Sequence, residues 1–180
     1  MVRDKEFIPV VESASKTKRL VVGGLLGSLA MLLQSAGVFA GLGYVLSMMS
    51  TGPLVIACLL SSRIGAMTYV VTIILLFMFQ PSELLIFTFT TGLLGLSMGI
   101  GLKYLKKNIM IISFSALCLS LGIAVLLYVV KFSILGPAVM TDFNGMLLIG
   151  IYLFSFVYSW IWLRISIFGF KIFGKISTRR

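Results

Sequence analysis

Apolar residues fall into six long runs separated by short polar breaks: 20–40, 44–62, 64–79, 84–102, 109–130 and 146–163. Each run is apolar around the whole helix rather than along one stripe, which is the pattern of a helix surrounded by protein or lipid on all sides. Crossing a bilayer takes about 20 such residues. The pattern predicts an all-α, polytopic integral membrane protein with six transmembrane helices. The expected organisation is a cytoplasmic N-terminal tail at 1–19, a six-helix transmembrane domain at 20–170 and a basic cytoplasmic tail at 171–180.

The breaks carry local signals. Pro53 lies inside the second run, where a missing backbone donor kinks a helix or restarts it. The Ser61-Ser62-Arg63 step separates the second run from the third. Gln80-Pro81-Ser82-Glu83 reads as a turn that opens the fourth helix, with proline in its first turn and a carboxylate facing the positive end of the helix dipole.

Composition agrees with the pattern. The chain has 180 residues, 59% hydrophobic and 11% charged, against roughly 25% charged residues in a soluble domain. The first 19 residues mix both charge signs and lack an early apolar core, unlike a cleaved signal peptide. The formal charge of +10 would suggest nucleic acid on a soluble protein. Here the cations sit at the ends of apolar runs, as topology signals and lipid contacts do, so no nucleic-acid partner is expected.

The cations also orient the chain. With the N-terminus inside, Arg3, Lys5, Lys16, Lys18, Arg19, Arg63, Lys103, Lys106, Lys107, Arg164, Lys171, Lys175, Arg179 and Arg180 lie inside, and Lys131 alone lies outside. Lysine and arginine resist translocation, so a 14-to-1 split predicts a multi-pass protein of the cell (plasma) membrane with both termini cytoplasmic. Arg164 follows Trp160 and Trp162 and reads as an interface anchor or as a contact for a cytoplasmic partner.

The chemistry available is limited. Histidine is absent, which removes the commonest metal ligand and general base. Carboxylates do not cluster and no phosphate-cradling loop precedes a helix, so neither catalysis, nor a metal, nor a cofactor is expected. Cys58 and Cys118 lie inside apolar runs and read as small packing residues.

Polar groups collect at the outer ends of the runs. Tyr44, Gln80, Glu83, Tyr128, Lys131, Asn144 and Tyr152 are the candidate substrate-binding residues, with Asp142 nearby. A carboxylate, an ammonium, an amide and aromatic faces together suit a small polar organic molecule. The plain alternative is that Glu83 caps its helix, Lys131 sits in water and the tyrosines form an interface belt.

Small residues form a second pattern. Gly23 and Gly27 lie four apart on the first run, and Gly95 and Gly99 repeat the spacing on the fourth, with Gly92 a turn earlier. Such spacing lets helix backbones approach closely. It serves either internal packing or, for Gly23 and Gly27, docking of another membrane helix.

Length, span number and the basic cluster before Leu20-Val21-Val22-Gly23-Gly24-Leu25-Leu26-Gly27 resemble the S component, the substrate-binding membrane subunit of energy-coupling factor (ECF) transporters. Thr51-Gly52-Pro53-Leu54, Arg63-Ile64-Gly65 and Phe89-Thr90-Thr91-Gly92-Leu93-Leu94-Gly95 look like that family's second to fourth spans. The resemblance implies capture of a small, vitamin-like solute from outside and a transport partnership with a coupling subunit and two ATPase subunits. It implies that Gly23 and Gly27 meet the coupling subunit. The rod-shape-determining membrane proteins of the cell-elongation machinery are similar in length and span number, and Leu32-Leu33-Gln34-Ser35 is similar to their first span. That resemblance implies a non-transporting membrane scaffold that binds other membrane proteins. An S-component-like protein without a transport role is the third reading.

Overall fold

The computed structural model of the protein describes residues 15–39, 41–131 and 145–177, with side chains through residue 169. Every regular element in it is helical. Six helices are long and apolar enough to cross a membrane: Lys16–Val38, Leu42–Leu60, Ser62–Phe79, Pro81–Tyr104, Asn108–Val129 and Gly145–Gly169. They are called the first to sixth spans below.

Four spans depart from a regular α-helix. The first ends in a 3-10 turn, Ala36–Val38, and Gly41 then adopts a φ of +72°, a left-handed conformation that glycine tolerates best. The second consists of two helices, Leu42–Met49 and Thr51–Leu60. The restart places Pro53 in the first turn of the second piece, where its missing N–H leaves no ladder bond broken. The fourth and fifth spans contain π-helical turns at Phe87–Thr91 and Val125–Val129.

The sixth span extends well beyond the sequence expectation. Its helix runs from Gly145 to Ser177, 33 residues, or about 50 Å at 1.5 Å per residue. It passes position 163, where the apolar run was expected to end, and continues into the segment from 171 onward that was read as the tail. Arg164 does not stop it because arginine is a good helix former. Its guanidinium carbon lies 5.5 Å from the Trp160 ring centroid. Trp162, expected at the interface, is instead buried in the core.

Two apolar cores hold the spans together. Ala30, Leu54, Leu76 and Phe87 join the first four spans. A larger cluster joins the second, fourth, fifth and sixth through residues including Val55, Leu94, Met98, Leu119, Ile151 and Leu163. The second span packs closely on the fourth. A Cβ on Gly95 would lie 2.8 Å from the Leu54 Cβ, and one on Gly99 would collide with Cys58. These glycines therefore serve internal packing.

Large apolar side chains also cover the outside, among them Leu25, Leu32, Phe77, Met78 and Leu121, each more than 60% exposed. A surface this apolar is stable against hydrocarbon and aggregates in water. The bundle has two chemically different ends. Lys16, Lys18, Arg19 and Arg63 mark the basic end, where the first and third spans begin. The second and fourth spans begin at the opposite end.

Candidate functional site

The opposite end holds a buried polar cluster assembled from the first, second and fourth spans. It begins at the start of the fourth span, where Pro81 takes the first helical position and supplies a preset φ. Gln80 precedes it, and its amide Nε2 donates to Ser82 Oγ at 3.1 Å. Glu83 is in the first turn, where the helix dipole favours a negative charge. It does not cap the helix. Its side chain turns into the bundle and is only 8% exposed.

Gln34, in the last turn of the first helix and fully buried, is the hub. Its Nε2 donates to Glu83 Oε2 at 2.9 Å. Its Oε1 accepts from Ser50 Oγ at 2.9 Å and from Thr91 Oγ1 at 2.8 Å. All three bonds are oriented the same way: hydroxyls donate to the amide oxygen, and the amide nitrogen donates to the carboxylate. Chains of aligned bonds polarise one another and strengthen the last acceptor's interaction. The cluster follows the fourth span for about 12 Å, from Glu83 to Thr91.

Backbone features admit this cluster. The carboxyl group of Glu83 lies against Gly37 in the 3-10 turn, where a Cβ would come within 3.0–3.1 Å of its three carboxyl atoms. The break in the second span places Ser50 between its two helices, with the hydroxyl directed at Gln34. The π turn in the fourth span loosens its carbonyl ladder, and neighbouring hydroxyls supply donors. Tyr69 donates to the Thr88 carbonyl at 2.6 Å, and Thr51 donates to the Thr91 carbonyl at 3.1 Å. Tyr69 also stacks on Phe87, with ring centroids 5.8 Å apart.

Among the described residues Glu83 is the only carboxylate, and its polar partner is the Gln34 amide rather than a cation. A buried carboxylate away from water is costly unless it is paired and well hydrogen-bonded. An ionisable group buried among apolar helices is by that fact a candidate functional position. Chemically it offers strong acceptor oxygens to a donor or a positively charged group.

The other expected site residues lie on other spans. Tyr44 is 59% exposed on the first piece of the second span. Lys131 is exposed just past the fifth span with a φ of 55°. Tyr128 packs partly buried against the larger apolar core. Tyr152 is half-buried, 6.4 Å from the ring of Phe156. Asn144 and Asp142 lie outside the described residues. Of the expected set, Gln80 and Glu83 sit at one helix start. Glu83 is met by Gln34 and Gly37, and Gln34 in turn by Ser50 and Thr91, none of which was singled out from the sequence as a binding residue. Gln34 had a readable signal, an amide inside an apolar run.

The docking pair has a clear internal role. Gly23 and Gly27 are buried against the third span. Thr68 Oγ1 donates to the Gly23 carbonyl at 3.0 Å, and Thr72 Oγ1 shares its proton between the Gly27 carbonyl at 3.1 Å and the Thr68 carbonyl of its own helix at 2.8 Å. A Cβ on Gly23 would lie 2.7 Å from Ile64 Cγ2.

Among the described residues no group of three or more acidic, cysteine or histidine side chains could hold a metal ion. No family model, no curated protein and no solved structure matches the chain.

Proposed function

We propose that the protein is a membrane-embedded substrate-binding subunit. It captures a small, vitamin-like solute from outside the cell and passes it to an ATP-driven module made of a coupling subunit and two ATPase subunits. The observation that carries this reading is the buried Glu83–Gln34 pair, backed by Ser50 and Thr91, at the end of the bundle away from most cations. Glu83 is the binding group, and the solute presents to it a hydrogen-bond donor or a positive charge. The 3-10 turn at Gly37 and the first piece of the second span form the cover over this position.

In this reading the chain lies in the cell membrane with both termini in the cytoplasm, as the 14-to-1 distribution of cations favours. Energy comes from the partners, because the chain has no nucleotide-binding loop of its own. With Gly23 and Gly27 packed on the third span, the coupling subunit meets the exposed stripe Val21, Leu25, Leu29 and Leu32 of the first span.

Native mass spectrometry of gently solubilised protein tests the proposal. The expected result is a retained small molecule, lost in Glu83→Gln, with coupling and ATPase subunits in the intact complex. Retention of cell-elongation proteins with no small molecule would overturn it in favour of the scaffold reading.

A further inference from the structure

The first and third spans leave a groove on the outside of the bundle that the solute site does not use. Leu20, Gly23, Gly24, Ile64, Met67, Thr68 and Val71 line it, and its volume is about 140 Å³. The only side-chain hydroxyl in that lining, on Thr68, is committed to the Gly23 carbonyl. The groove therefore offers its occupant no free polar side chain. Water gains little there, whereas an apolar cavity of similar size holds a hydrocarbon. From Ile64 to Val71 the groove follows the third span for about 10 Å.

Its mouth has the opposite character. Lys16, Lys18 and Arg19 precede Leu20 within about one turn, and Arg63 immediately precedes Ile64. Lys16, Lys18 and Arg63 are exposed. The one carboxylate among the described residues, Glu83, belongs to the other end of the bundle. An apolar slot of this kind, opening beneath a cluster of cations at the end of a span, matches a molecule with an anionic head and a hydrocarbon chain. Basic pockets between membrane helices recognise acidic lipid head groups on this principle.

We propose that this groove is a binding site for one anionic phospholipid. An acyl chain lies along Gly24, Met67 and Val71, and the phosphate sits between Lys16, one turn before Leu20 on the same helix face, and Arg63. The lipid covers the seam between the first and third spans that the Thr68 and Thr72 hydrogen bonds hold together. The site is independent of the solute reading, since it needs only the groove and the cations at one end.

Gly24 supplies a clean test because a side chain built there meets nothing within 4 Å. Gly24→Phe fills the slot and leaves the Gly23 and Gly27 contacts in place. The full chain is purified in mixed micelles with equal phosphatidylglycerol and phosphatidylcholine, and bound lipid is quantified by mass spectrometry. Wild type is expected to retain phosphatidylglycerol in preference, at about one per chain. Lys16→Gln and Arg63→Gln are each expected to weaken phosphatidylglycerol about fivefold, as one cation near a charged surface contributes. Gly24→Phe is expected to lose both lipids at an unchanged melting temperature. Equal retention of the two lipids by wild type would overturn the proposal, as would full phosphatidylglycerol retention in the charge variants. If Gly24→Phe does not fold, the charge variants decide the matter. A protein helix that crosslinks to position 24 in stoichiometric yield, in place of lipid, would also overturn it.

Discussion

The half of the bundle built from the first four spans and the half built from the fifth and sixth use their hydroxyl groups differently. In the first, most buried hydroxyls are bonded and several tie helices together: Thr68 and Thr72 reach carbonyls of the first span, and Ser50 and Thr91 reach Gln34, with Ser35 the exception among the described residues. In the second, Ser115, Ser155 and Ser159 are fully buried with no hydrogen-bond partner among the described residues. Their value there is small size, which lets the fifth and sixth spans pack closely around Leu119, Ile151 and Leu163. Bilayer hydrocarbon supplies no hydrophobic drive for helices to associate, so packing and polar contacts must do it. The comparison teaches that side-chain hydrogen bonds tie the first span to its neighbours, both around Glu83 and along the third span, whereas small size serves the packing of the fifth and sixth.

The hub gives the largest expected effect. Gln34→Leu removes the donor to Glu83 and the acceptor of two hydroxyls, leaving a buried carboxylate unpaired. It is expected to destabilise the protein by about 3 kcal/mol, measured by thermal or detergent-induced unfolding. Adding Glu83→Leu to that variant should recover part of the loss. A double variant as unstable as Gln34→Leu alone would mean that the stranded carboxylate is not the cause.

Next comes the contact between the first and third spans. Gly23→Leu forces a side chain into Ile64 and should cost about 2 kcal/mol by overpacking. A variant as stable as wild type would show that the seam opens freely. Thr72→Val keeps the shape and removes the bond to the Gly27 carbonyl. Its expected cost is about 0.6 kcal/mol, the mean for hydrogen bonds between membrane helices.

The smallest effect belongs to the other half. Ser155→Ala and Ser159→Ala should lie within about 0.5 kcal/mol of wild type, because no partner is lost. A cost as large as that of Thr72→Val would erase the contrast between the two halves.

The sequence makes the spans legible and the site only partly so. Six apolar runs, the break near Pro53 and the helix start at Pro81 are local signals and were readable as such. The length of the last helix was not, because Arg164 and the cations after it interrupt the apolar run without breaking a helix. Glu83 stood out as an acid at a span start. That it turns inward depends on Gln34, 49 positions away, and on Gly37, whose missing side chain leaves room for its carboxyl group. The π turns are equally tertiary: Phe89 meets Gly122 of the fifth span, and Tyr69 reaches Thr88 from the third. The tyrosines carry no such local signal, because amphipathic rings at span ends serve packing and lipid contact as readily as recognition.

Titration calorimetry of the solute retained by the wild-type protein, repeated on Glu83→Gln in the same detergent, tests the central claim most directly. The account predicts at least about a tenfold loss of affinity, as expected when a hydrogen bond to a charged group is lost, with the melting temperature unchanged. Equal affinity in the two proteins would contradict it and would move the binding site away from the Glu83 cluster.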